Sequence, residues 1–129
     1  MKKLLTILLA TICLFALCAC NSDSNQGSNL KVGVVQTTQH PALDAATQGF
    51  VDALKENGIT DVDIQNASGE SANCSTIVGN FVADGVDLIM ANATPALQAA
   101  SAATDTIPVL GTSITVYDVV LGGSVPKNV

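Results

Sequence analysis

Four short apolar runs divide residues 31–115, and each is followed by a polar loop and a stretch with helical spacing. The runs cover residues 31–36, 62–65, 86–91 and 107–111. The first lacks polar alternation, which is typical of a strand buried on both faces. The second alternates apolar and polar residues, which indicates an edge strand with one exposed face. The pattern therefore predicts four β-strands.

Helical patterns fill the intervals between these strands. The first predicted helix begins at Pro41, where the missing N–H of proline costs nothing, and ends before Gly58. Its apolar face repeats at spacings of three and four: Leu43, Ala46, Phe50 and Leu54. A second helix is predicted over 71–83. A third covers 95–103, with Thr94 as its N-cap.

The order β-α-β-α-β-α-β predicts an α/β fold with a parallel, doubly wound sheet, because right-handed crossovers place helices on both of its faces. We predict the strand order 2-1-3-4. Ligands of such sheets bind beyond the carboxyl ends of the strands, at the switch point between strands 1 and 3. The loops at 36–40 and 92–94 should meet there. The tail, 116–129, contains a weak strand pattern at 119–121 and has no secure place in this scheme.

The first residues have the pattern of a bacterial export signal. Two lysines precede an uncharged run from Leu4 to Leu17, which is shorter than a membrane-spanning helix. The run ends in Leu17-Cys18-Ala19-Cys20, which resembles a lipobox. We predict a lipoprotein signal peptide over 1–19, acylation such as palmitate on Cys20, and a flexible tether over 20–30. A plain secretory signal cleaved near Ala19 is the alternative.

Composition and charge exclude several kinds of partner. The chain has eleven acidic residues, five lysines and no arginine, and its net charge is −6. A basic patch for nucleic acid cannot be assembled from this set. If Cys13 and Cys18 leave with the leader and Cys20 takes lipid, Cys74 alone remains in the body. No internal disulfide is then expected, and Cys74 is predicted to be a buried apolar residue.

The loops lack the motifs of common enzymes. Neither G-x-G-x-x-G nor G-x-x-x-x-G-K nor G-x-S-x-G occurs where it would be needed. Gln36 and residues 91–92 stand where a phosphorylated receiver of this topology would need acids. His40 is a lone histidine, so no metal, cofactor or catalytic residue is expected. Amide, hydroxyl and helix N-terminal N–H groups remain, and these favour the binding of a small neutral or zwitterionic molecule.

Several motifs in combination resemble those of a known family. They are Lys31-Val-Gly-Val-Val-Gln36, His40-Pro-Ala-Leu-Asp-Ala-Ala46, Val86-Asp-Leu-Ile89, Ala93-Thr-Pro-Ala-Leu-Gln-Ala-Ala100 and Ile107-Pro-Val-Leu110. The chain is similar to substrate-binding lipoproteins of ABC transporters, whose fold resembles type I periplasmic binding proteins. The resemblance implies two α/β lobes that close on a ligand, which is an aromatic amino acid where ligands are known. It also implies ABC permease subunits as partners, and a lipid anchor on the extracytoplasmic face of the membrane. It also implies that the chain is not an enzyme.

The resemblance further implies ligand contacts from residues that follow the four strands: Gln36, His40, Pro41, Asn66, Ala67, Thr94, Pro95, Thr112 and Ser113. Two departures stand out. Val116 occupies a position that is usually acidic, and the family's chains are more than twice as long. Residues 31–129 are therefore expected to form a partial N-terminal lobe with an incomplete cleft. Two alternatives stay open at this point, a membrane-tethered ligand sensor of the same fold and, with less support, an enzyme of flavodoxin-like topology.

Overall fold

A computed structural model describes residues 29–129 of the chain. The predicted signal peptide over 1–19, the lipid site at Cys20 and all but the end of the 20–30 tether lie outside these residues. Within 29–129, no helix combines the length and apolar character needed to cross a bilayer.

The described chain alternates strands and helices from its first element to its last. The four strands are β1 Lys31–Gln36, β2 Asp61–Asn66, β3 Leu88–Asn92 and β4 Val109–Thr112. The four helices are α1 Pro41–Glu56, α2 Ser71–Ala83, α3 Thr94–Ala103 and α4 Tyr117–Val120. The strands form one parallel sheet in the order β2-β1-β3-β4. The predicted α/β class and strand order are confirmed.

Two strands begin later than the sequence pattern predicts. Val86 was expected to open β3, but its N–H bonds to the carbonyl of Phe81 and still belongs to the turn that ends α2. That turn passes through Gly85 at a φ of 65°, which glycine adopts without strain. Ile107 was expected to open β4, but its N–H donates a hydrogen bond to the Thr104 hydroxyl instead of pairing with a strand.

Two local predictions were wrong at helix starts and in the tail. The N-cap of α3 is Ala93 rather than Thr94, and α3 begins at Thr94 itself. Residues 119–121, with a weak strand pattern, belong instead to α4 and the residue after it. Tyr117 at the start of α4 donates a hydrogen bond to the carbonyl of Gly111, at the outer edge of β4. This contact favours a turn of helix there over a fifth strand.

Helices cover the sheet on both faces. The α2 and α3 face holds the larger core cluster, in which Phe81, Ile89 and Leu97 are fully buried. The α1 face holds a smaller cluster around Val32, Val34 and Met90, against which Phe50 and Leu54 pack. These two residues are only partly buried. The predicted apolar face of α1 therefore meets the sheet at an angle that buries Val51 and Thr47 more deeply.

Candidate functional site

The last residues of the four strands form one polar row across the sheet. Pairing places Gln36 of β1 opposite Asn66 of β2 and Asn92 of β3, and Asn92 opposite Thr112 of β4. Parallel strands bring their carboxyl ends to the same edge, so the loops predicted to meet do so. This carboxyl edge is the candidate site.

Asn92 is the centre of the row. Its side chain is fully buried, and Nδ2 donates to the carbonyl of Leu43 at 2.8 Å and to the Thr47 hydroxyl at 3.0 Å. Its Oδ1 accepts from the Ser113 hydroxyl at 2.9 Å. Its backbone carbonyl accepts from the N–H and the hydroxyl of Thr37. One asparagine therefore ties α1, the loop after β1 and the loop after β4 together, with its own hydrogen-bonding groups satisfied.

Gln36 plays a similar part on the next strand. Its side chain is 4% exposed, and Nε2 donates to Asp44 Oδ1 at 2.6 Å and to the carbonyl of Thr38 at 2.8 Å. Its Oε1 accepts from the Thr47 hydroxyl at 2.7 Å. The amide of Gln36 is thus engaged inside the protein, where it fixes the first turn of α1. In this structure Gln36 positions the carboxylate of Asp44 at the edge.

Backbone strain is concentrated at the same edge. Within residues 29–129, the non-glycine residues with positive φ are Ser68, Ala93 and Ser113, at 56°, 82° and 60°. Ser68 follows β2, Ala93 follows β3 and Ser113 follows β4. Such conformations are costly and persist where the surroundings enforce them, often at ligand-binding sites. Ala93 is held by its N–H bond to the carbonyl of Thr112, and Ser113 by its bond to Asn92.

The remaining predicted site residues differ in exposure. His40 and Pro41 are exposed at the start of α1, where the His40 Nδ1 accepts from the N–H of Ala42 and caps the helix. Asn66 is exposed after β2, and its Oδ1 accepts from the N–H of Ser68. Ala67 is fully buried, and its N–H donates to the carbonyl of Gln36, which ties the loops after β1 and β2 together.

The loops after β3 and β4 present accessible groups. Thr94, Pro95 and Thr112 are partly buried, and Ser113 is exposed. The N-terminus of α3 has no side-chain cap, so the positive end of its helix dipole lies uncapped by a side chain at the edge. The structure brings all nine predicted residues to one edge of the sheet. Contact of each with a ligand stays a prediction.

A cleft of about 300 Å³ lies between the first turns of α1 and the carboxyl ends of β1 and β2. Its lining residues are Gln36, Gln39, Asp44, Thr47, Gln48, Ile64, Gln65 and Asn66. Two of them, Gln36 and Asn66, were predicted from the sequence. Asp44 lies in the first turn of α1, where an acidic residue is expected from its favourable interaction with the helix dipole alone. Its pairing with Gln36 eight residues earlier has no signal in the local pattern, so sequence reasoning missed it.

The chemistry of the edge is that of recognition. The edge carries amides, hydroxyls and the carboxylate of Asp44, and within 29–129 no group of three or more potential ligands is placed to hold a metal ion. The buried Cys74 lies beneath the loop after β1. Burial raises the pKa of its thiol, an effect that a hydrogen bond with Thr37 partly opposes, so the thiol stays protonated and unreactive.

A parallel α/β lobe with a polar carboxyl edge and a neighbouring cleft defines a small-molecule binding module. Comparison with known proteins places it more narrowly. The family model of ABC transporter substrate binding proteins matches residues 31–127. The chain belongs to this family, whose members bind solutes and are not enzymes.

Individual relatives extend this assignment. A tyrosine-binding protein of Clostridioides difficile strain R20291 is 34% identical over 88% of this chain and 38% of its own length. The ligand-free, open structure of a substrate binding protein with adhesive properties from Clostridium difficile is 41% identical, with a TM-score of 0.68 over 70% of this chain and 32% of the other. A domain from Streptococcus pneumonia solved in complex with L-Trp is 37% identical, with a TM-score of 0.67 over 72% of this chain and 33% of the other.

The chain matches only part of the length of each of these relatives. The chain spans 38% of the length of the curated relative and about a third of each solved chain. Its four-stranded sheet therefore corresponds to part of the relatives' fold.

Proposed function

We propose that this chain contributes one wall of a ligand cleft in an extracytoplasmic lipoprotein that serves an ABC importer. The ligand is a small amino-acid-like molecule, and the aromatic amino acids are the first candidates. The polar row Asn66–Gln36–Asn92–Thr112 at the carboxyl edge is the observation that carries the proposal. Its buried members hold the loops in place, and its accessible members are free to contact a solute.

Three features of the edge support an amino-acid ligand. The α3 N-terminus has a positive dipole end without a side-chain cap, which suits a carboxylate. The exposed and partly buried residues offer hydrogen-bonding groups from the side chains of His40, Asn66, Thr112 and Ser113. Relatives at 34% and 37% identity are a tyrosine-binding protein and a domain in complex with L-Trp. The wall described here would face a second wall across the ligand.

In this proposal the nine predicted residues divide into two groups. Gln36 and Ala67 act from inside, since their buried groups fix Asp44 and the loop after β2. The other seven lie at the surface of the edge and contact the ligand directly. Strain at Ala93 and Ser113 is offset by their hydrogen bonds, so the edge is organised before a ligand arrives.

Ligand titration of the full chain tests the proposal. Isothermal calorimetry with a panel of amino acids and sugars should detect binding of tyrosine, tryptophan or phenylalanine and none of glucose or ribose. Thr112→Ala, at the carboxyl edge, should weaken that binding by removing a hydroxyl from the wall. Thr60→Ala, just before β2 at the opposite edge, should leave it unchanged. Absence of binding by every amino acid would overturn the assigned ligand class.

The membrane anchor has its own test. Full-length chain expressed in a bacterial host should be recovered in the membrane fraction, with a mass increase on the peptide that begins at Cys20. Cys20→Ala should abolish the mass increase and release the chain from the membrane. If the unmodified chain is released with its new N-terminus after Ala19, the plain secretory signal is correct instead.

A further inference from the structure

The cleft beside α1 carries a charge that a ligand would have to complement with the opposite sign. Within residues 29–129 the lysines are Lys31, Lys55 and Lys127, and none of them lines this cleft. Asp44 is the one ionisable residue among its lining residues. The surroundings are otherwise amides, a threonine hydroxyl and the apolar side chain of Ile64. The cleft therefore holds one negative charge with no cation of the lining to neutralise it.

The carboxylate of Asp44 is held in a fixed position. Its Oδ1 accepts the 2.6 Å hydrogen bond from Gln36, whose amide is itself bonded to Thr47 and to the carbonyl of Thr38. Because Gln36 is 4% exposed, this chain of hydrogen bonds is anchored in the protein interior. The second oxygen, Oδ2, has no hydrogen-bond partner among the described residues. A ligand donor can therefore reach an oxygen that is already oriented.

A further lining residue, Gln48, has its amide group oriented by a nearby carboxylate. Gln48 Nε2 donates to Asp52 at 2.7 Å. Since an ionised carboxylate only accepts hydrogen bonds, the amide nitrogen faces Asp52 and the amide oxygen is left as an acceptor in addition to the one on Asp44. Gln65 contributes no acceptor here, because its side chain lies on the α2 face, where Nε2 donates to Asp63 at 2.8 Å.

Asn66 differs from Gln48. Its Oδ1 accepts from the N–H of Ser68, so its Nδ2 is left as a donor. The one charged group of the lining, Asp44, is nevertheless an acceptor, and the net charge of the lining is negative. Ile64 adds an apolar wall, since its side chain is 49% exposed. A compact cation with several N–H donors and an apolar body attached matches this lining.

We propose that this cleft binds the primary ammonium group of the ligand, with Asp44 Oδ2 as the charged acceptor and Ile64 against the adjoining carbons. An ammonium group carries three donors on a single charged centre, which suits the free carboxylate oxygen of Asp44 together with the amide oxygen of Gln48. Identifying this group as the amino group of an amino acid rests on the function proposed above. The preference for an ammonium rests on the cleft alone, so the two can be tested apart.

Three probes separate the contributions of the ligand groups. Phenethylamine keeps the ammonium and the ring, 3-phenylpropionate keeps the carboxylate and the ring, and phenylalanine carries both. Each is titrated into the full chain by NMR chemical-shift perturbation. We expect phenethylamine to bind and to shift the amide resonances of Asp44 and Ile64, and 3-phenylpropionate to leave these resonances unmoved.

Asp44→Asn is the decisive variant. Asparagine can keep an oxygen for Gln36, but the other atom becomes a donor, so the acceptor for the ammonium is lost together with the charge. We expect phenethylamine to bind about tenfold more weakly or worse, as for loss of a hydrogen bond to a charged group. The matched control is Asp61→Asn, which removes the same charge at the exposed amino end of β2, away from the cleft.

The outcomes distinguish the two proposals. The ammonium site is supported if phenethylamine binds the unmodified chain and Asp61→Asn but binds Asp44→Asn more weakly. This holds even if no amino acid binds. Phenethylamine that fails to bind, or that binds Asp44→Asn as well as the unmodified chain, overturns the site. If both variants weaken the binding of phenethylamine equally, the binding depends only on the overall negative charge of the chain. That result would also overturn the site. Circular dichroism of each variant verifies that the fold is retained.

Discussion

The two faces of the sheet are covered to very different degrees. On the α2 and α3 face, twelve residues form a continuous buried cluster, whereas on the α1 face the buried cluster has three. Two helices can span four strands, but a single helix covers about two, since neighbouring strands lie about 4.8 Å apart and a helix with side chains is about 10 Å wide. The described fold is therefore closed on one face and half-open on the other.

One row of side chains shows the difference within the α1 face. Strand pairing aligns Ile64, Val34, Met90 and Leu110 across the four strands. The inner pair, Val34 and Met90, are 0% and 3% exposed, while both outer residues are 49% exposed. The next row on this face is the polar row that ends the strands, because side chains alternate between faces. The uncovered rim at Ile64 adjoins that row, and the cleft lies there.

Removal of the Phe81 ring should have the largest effect on stability. Phe81 is 1% exposed and lies in the closed cluster. Phe81→Ala leaves a cavity that two packed helices cannot fill, so the free energy of unfolding should fall by about 3–5 kcal/mol. Urea denaturation followed by circular dichroism measures it. A loss below about 1 kcal/mol would mean that this face is not the closed one.

Addition of a methyl group at Gly33 should also destabilise the closed face. A Cβ there would lie 2.5 Å from the ring of Phe81, which is itself 1% exposed. Gly33→Ala restricts the unfolded chain, which favours folding by about 0.4–1 kcal/mol. Overpacking of the ring outweighs this, so we expect a net loss of about 2 kcal/mol. The double variant Gly33→Ala with Phe81→Ala should be less destabilised than the sum of the two single variants, since the ring that clashes is gone.

The layers of the fold could be predicted from the sequence, but this asymmetry could not. The order of elements predicted a parallel sheet with β2 at an edge and helices on both faces. The alternation of β2 favours a buried Ile64, yet Ile64 is 49% exposed on the α1 face. What could not be predicted are relations between residues far apart in the chain. The bonds from Asn92 to Leu43 and from Gln36 to Asp44 join different elements, and no periodicity encodes them.

Local competition explains the predictions that were wrong. Thr94 has the side chain of a good N-cap, but Ala93 occupies that position because its N–H is bonded to Thr112 of the neighbouring strand. The strand pattern at 119–121 gave way to α4, since Tyr117 packs on Gly111 and its hydroxyl satisfies a carbonyl at the sheet edge. Tertiary contacts outweighed local preference in both places.

Truncation of Met90 tests the centre of the half-open face. Met90 is 3% exposed beneath α1, but its row opens to solvent at both ends. Met90→Ala should lower the free energy of unfolding by about 2 kcal/mol, at the low end for such substitutions, because α1 can settle toward the sheet. The matched comparison is Leu97→Ala on the closed face, where Leu97 is fully buried and the loss should be larger. Equal losses measured by urea denaturation would mean that α1 is held as rigidly as α2 and α3.

A polar substitution at the rim should have the smallest effect. Leu110 is 49% exposed at the outer end of the same row, so Leu110→Gln should change the free energy of unfolding by less than about 0.5 kcal/mol. Val109, its neighbour in β4, faces the closed side at 2% exposure, and Val109→Gln would bury an amide without a partner. The two adjacent variants, measured in the same urea titration, compare the two faces at one strand. A large loss from Leu110→Gln would show that something covers this rim in solution, and a loss that grows with protein concentration would identify the cover as a second copy of the chain.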